Sequence, residues 1–135
     1  MNAKMRELVA SMVEASTLTS NLAEILDLGF VERGGCTLLA AEANKTAHVP
    51  RMNATENECF VNHVHIADFP IALLFARELT AALRRTFQER FVIILSFDDN
   101  HATVRFHKDK PGNDWLDVSK LENFNDEAVG VISSV

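Results

Sequence analysis

CFVNHVHIADFPIALLFARELTAALRRTFQERFVIILSF, residues 59–97, holds three elements in series. Cys59 to Ala67 has strand character, a long helix opens at Asp68-Phe69-Pro70, and Phe91 to Phe97 reads as a second strand. Over residues 70–88, Ile71, Leu74, Phe75, Leu79, Ala82, Leu83 and Phe87 recur at three- and four-residue spacing. Arg77, Thr80, Arg84 and Gln88 fall on the opposite side, which is the pattern of an amphipathic helix. Asp68 can accept from the free amides of the first turn, and Pro70 suits a position where no N–H is needed. Arg84, Arg85 and Arg90 complement the negative end of the helix dipole. Phe91-Val92-Ile93-Ile94-Leu95 is apolar on both faces, as befits an interior strand. Strand, helix and strand most simply form a right-handed crossover with the two strands parallel.

On either side of this unit the chain offers further elements. Residues 2–15 have helical spacing, with Met5, Leu8, Val9, Met12 and Val13 on one side. A second helix follows Thr17-Leu18-Thr19-Ser20, with Asn21 and Glu24 at capping-box spacing and Gly29 placed to end it. Phe30 to Arg33 and Cys36 to Leu39 flank Gly34-Gly35, whose positive φ angles a two-residue hairpin turn requires. Residues 43–58 are polar and read as a long loop, a candidate binding lid. After a turn at Asp98-Asp99-Asn100, residues 101–107 alternate, with Ala102, Val104 and Phe106 on one face. Ala128 to Val135 completes the set as a strand. The expectation is an α+β domain spanning residues 1–135. It has a mixed sheet of five or six strands, a long crossover helix, and an N-terminal helical pair packed on one face.

Charge and composition narrow the function classes. The 135 residues carry a net charge of −6, and apolar residues make up 47%, which suits a folded domain. The longest apolar runs are too short for a membrane span, and the N-terminus lacks a secretory apolar core. A cytoplasmic protein is expected, with Cys36 and Cys59 as reduced, packed thiols. From Pro111 onward five carboxylates face one lysine, for a segment charge of −4. Nucleic-acid binding calls for the reverse, a clustered basic face, so neither nucleic acid nor membrane is an expected partner. No glycine-rich phosphate loop and no G-x-S-x-G motif occur, and no cofactor is implied.

Two constellations carry chemical content. His63 and His65 stand two apart on a strand, so their side chains share a face and can chelate one transition metal. The polar face of residues 101–107 would bring His101 and His107 near them. The competing reading is an ordinary set of imidazoles on a half-exposed sheet. His101-Ala102-Thr103-Val104 resembles one half of the paired H-x-[ST]-hydrophobic signature of the 2H phosphoesterases. That resemblance implies histidines acting as acid and base on a phosphodiester. Its second half here, His63-Val64-His65-Ile66, has histidine where the hydroxyl residue belongs.

The second constellation is acidic. Asp114, Asp117 and Glu122 surround Trp115 between residues 114 and 127, an anchor rimmed by one sign of charge that would steer and hold a basic protein. The same residues can equally be a solvated surface over a core tryptophan. The leading expectation is a non-enzymatic protein-binding module, similar in character to small acidic immunity proteins or adaptors. The alternative is a histidine-centred metal-binding or phosphoester-hydrolysing site on the open sheet face.

Overall fold

A computed structural model describes residues 1–43, 54–98, 101–110 and 127–134. In chain order these form α1 (Ala3–Ser11), α2 (Ser20–Leu28), β1 (Phe30–Arg33), β2 (Cys36–Leu39), α3 (Ala40–Ala43) and α4 (Ala54–Val61). Then come β3 (His63–Ile66), α5 (Phe69–Thr86), β4 (Phe91–Phe97), β5 (Ala102–Lys108) and β6 (Ala128–Ser133). The class is α+β, with a four-stranded sheet in the order β3-β5-β4-β6 and a separate two-stranded hairpin, β1-β2.

Every strand pairing is antiparallel, so the expected mixed sheet of five or six strands is corrected to four plus two. The crossover strands β3 and β4 do run parallel to each other, but they are not neighbours. β5 returns from β4 through the short connection at Asp98 and inserts between them, pairing antiparallel with both. β4 is flanked by β5 and β6, which accounts for its apolar residues on both faces.

Helix α5 follows its sequence signals closely. Asp68 Oδ1 accepts from Ile71 N at 3.1 Å, Pro70 lies in the first turn, and Arg84 and Arg85 occupy the last. Phe75, Leu79 and Leu83 are fully buried and pack with Ile93, Leu95, Val104 and Phe106 of the sheet in one core. The hairpin is also as read: Gly34 and Gly35 have φ of 59° and 81°, and Phe30 to Arg33 pairs with Cys36 to Leu39.

Helix α1 is shorter than the expected 2–15, and the two N-terminal helices pack on different partners rather than on each other. α1 lies on β6, where Gly130 lets the Met5 side chain approach to 3.4 Å of a Cβ position, and α2 lies against α5 and β2. Thr19, rather than Asn21, caps α2 by accepting from Leu22 N. The buried Asn2 does two tasks at once. Its Oδ1 caps α1 at Met5 N (3.0 Å) and also accepts from Val129 N (2.9 Å). Its Nδ2 donates to Glu127 O at 2.8 Å, so the carboxamide and the Asn2 backbone continue the ladder along the outer edge of β6.

The largest departure lies before β3. Cys59, Phe60 and Val61 belong to α4, and the strand contracts to His63–Ile66. Thr55, Glu58, Cys59 and Asn62 share a helical face and are all buried, so α4 buries polar groups that a hydrophobic pattern does not reveal. Glu58 Oε2 accepts from Thr37 N at 2.9 Å, and Oε1 accepts from Lys108 N at 3.3 Å. Asn62 Oδ1 accepts from Leu39 N at 2.8 Å, while its Nδ2 donates to Thr37 O at 2.8 Å and Phe106 O at 3.4 Å. Together these side chains join the free edge of β2 to the end of β5. Residues 44–53 of the expected lid lie outside the described residues.

The two bridging groups cannot exchange chemistry. Both Glu58 oxygens face N–H donors, whereas Asn62 must accept on one side and donate on the other. Glu58→Gln and Asn62→Asp should each lower unfolding free energy by about 1–3 kcal/mol, the cost of an unmade buried hydrogen bond. Burial raises the Glu58 carboxyl pKa above its ordinary 4.5, against the opposing bonds from Thr37 and Lys108 and the charges of Lys108 and Lys110. Its contribution to stability is therefore complete below 4.5 and is lost as pH rises through the raised value. Urea melts across this range should show that component in the wild type and not in Glu58→Gln. Equal stability of both variants and the wild type would contradict the bridge.

Candidate functional site

β3 is one edge strand of the four-stranded sheet, and its register against β5 sets His63 opposite Arg105 and His65 opposite Thr103. Antiparallel partners share a face, so these four side chains stand on the side of the sheet away from α5. His101, just before β5, joins them. The imidazole centroids lie 5.1 Å apart for His63–His65 and 5.2 Å for His65–His101, both edge to face. Phe60, at the end of α4 and 40% exposed, extends the series at 6.1 Å from His63. The sequence reading placed Phe60 in a strand; here it belongs to α4 and faces outward.

Each imidazole is held by a different group. His63 Nδ1 donates to the Phe60 carbonyl, which can only accept, so the neutral ring keeps its lone pair on Nε2. His65 Nδ1 is hydrogen-bonded to the Thr103 hydroxyl at 3.2 Å. His101 N donates to Asp98 Oδ1 at 3.0 Å, and its ring Nδ1 lies 3.7 Å from the same oxygen. Desolvation lowers the His65 pKa below its ordinary 6.5, helped by the neighbouring His63, His101 and Arg105.

Three of the four histidines thus come together, and His107 does not. It lies two residues beyond Arg105 on β5, is only 1% exposed, and donates from Nδ1 to Lys108 O at 2.7 Å. The face is also not open along its length, because Ile94 and Val129 form a small buried cluster with Val92 and Val131. Among the described residues, no group of three or more His, Cys, Asp and Glu side chains is arranged to hold a metal ion. The pattern likened to the 2H phosphoesterases is present as two adjacent strands, but Thr103 bonds His65, and His65 stands between His63 and His101. Asp114, Trp115, Asp117 and Glu122 lie outside the described residues.

Cys36 and Cys59 are buried and form no disulfide. Burial pushes the Cys59 thiol up to about 12, against a weaker lowering by Arg105, which leaves it a packing residue and not a nucleophile. No helix among the described residues is long and apolar enough to cross a membrane.

Imidazole NMR tests the series directly. His65 should titrate below 6.5, and replacing both His63 and His101 by Gln should move its midpoint upward while leaving it below 6.5, since burial persists. An unchanged midpoint would show that the rings do not sense one another.

No curated protein and no solved structure matches the chain. A family model matches residues 1–135, its full length, and the chain therefore belongs to the Uncharacterized protein PM0498 family.

Proposed function

We propose that this protein is a cytoplasmic, non-enzymatic binding module that captures an anionic group of a partner protein on the Phe60–His63–His65–His101 row. The observation that carries the reading is the unbroken series of three imidazoles at ring separations of 5.1 and 5.2 Å beside the Arg105 position. On a chain of net charge −6, this is a local concentration of groups that gain positive charge on mild acidification. A phosphoryl or carboxylate group seated against them raises the imidazole pKa values, so binding takes up protons and tightens as pH falls. Phe60 supplies an apolar flank of the kind that interfaces favour. The row favours binding over turnover because the Thr103 hydroxyl is engaged by His65.

Sulfate is a suitable probe, since it keeps both charges across the imidazole range. Titrated into the full chain at about pH 6 and about pH 8, on either side of the ordinary histidine pKa of about 6.5, it should shift the His63, His65 and His101 resonances together. Affinity should be roughly tenfold higher at the lower pH, the effect of about one proton taken up. A transition metal has the opposite slope, because imidazole must be neutral to ligate. Stoichiometric Zn2+ binding that strengthens with pH, with no response to sulfate, would overturn the anion reading.

A further inference from the structure

A second candidate site lies on the other side of the hairpin and uses none of the imidazoles. β2 is buried on both faces. Leu39 enters the main core, whereas Cys36 and Leu38 point the other way and form a small cluster of their own with Ala43 of α3 and Val61 of α4. These four side chains line a pocket of about 210 Å³, together with Asn57 and Arg33. It is a partly open concavity with a largely apolar lining, the kind of feature in which small ligands bind. The helices on either side present Ala43, Asn57 and Val61 toward it, none of them large enough to fill it.

The geometry points to a binding site for a small monocarboxylate with an apolar body of about six to eight carbons, its tail against Leu38 and Val61 and its carboxylate on Arg33. Size supports this: an apolar cavity of about 150 Å³ holds a benzene-sized guest, and drug-sized ligands need about 300 Å³ or more. Charge supports it as well. Arg33, an exposed side chain at the end of β1, is the one charged residue among the described residues lining the pocket. Its Nη1 donates to Ala43 O at 3.3 Å, which fixes the guanidinium across the pocket and leaves its other donors for a carboxylate. A single guanidinium suits a single negative charge better than a phosphate dianion. The site carries no reaction; burial and the Glu58 charge both push the Cys36 thiol up, away from the reactive thiolate.

Hexanoate and 1-hexanol, titrated near neutral pH into the methyl-labelled full chain, separate the tail from the head. Hexanoate should shift the Leu38, Ala43 and Val61 methyls and bind about tenfold more tightly than the alcohol, the worth of one charge-assisted contact. Arg33→Gln should bring the two ligands to equal affinity without changing the thermal midpoint. Val61→Phe should abolish both, and Val61→Met provides a milder filling if the larger ring disturbs folding. Three results overturn the site: no methyl shift with either ligand, hexanoate shifts confined to the imidazoles, or a carboxylate preference that survives Arg33→Gln.

Discussion

The Asn62 carboxamide is the joint on which this fold turns. Its oxygen takes Leu39 N–H, and its nitrogen gives to the Thr37 and Phe106 carbonyls. A strand that lacks a neighbour must either face water or find other partners for its backbone. β2 is buried on both faces, so water is not the solution, and side chains from α4 take the place of a third strand. Glu58 completes the arrangement by holding Thr37 N–H and Lys108 N–H on its two oxygens. Left unpaired, each of these buried groups would cost more than the bond itself contributes, which makes the set cooperative.

One short segment therefore serves three purposes. Glu58 and Asn62 point inward and bind the hairpin to the sheet. Asn57 and Val61 line the pocket against Cys36 and Leu38. Phe60 and His63 open the aromatic row, with the Phe60 carbonyl fixing the His63 tautomer. A change in the docking of α4 would reach both candidate sites. The far side of the sheet uses the same chemistry on a smaller scale, where Asn2 caps α1 and closes the β6 edge with a single side chain. At the β2 and β6 edges alike an asparagine amide takes part, because it can donate and accept at once.

What could be read from the sequence follows from which physical signals are local. Helix α5 was legible because capping, proline and apolar periodicity agree over its whole length. The hairpin was legible because Gly34-Gly35 leaves few alternatives. The shared face of His63 and His65, which His101 joins through the β3–β5 pairing, followed from strand periodicity. The order of the strands did not, because a crossover fixes relative direction and not adjacency, and the inserted β5 depends on tertiary pairing. α4 was missed because its buried face is made of Thr55, Glu58 and Asn62, which hydropathy places outside. His107 was assigned to the open face because strand alternation fixes the side of the sheet and not the burial there. The spacing of Thr55, Glu58, Cys59 and Asn62 was the available signal, but it becomes informative only once β2 is known to need partners.

Amide hydrogen exchange on the native protein tests this joint most directly. Among the described residues, Thr37 N–H is accepted by Glu58 of α4 and Leu39 N–H by Asn62 just after it. If the bridge is the organising contact, both should be protected to a similar degree, and Asn62→Ser should release them together while Ile93 and Leu95 in β4 stay protected. Exchange of Thr37 and Leu39 at the rate of an unfolded peptide in the wild type would contradict the account.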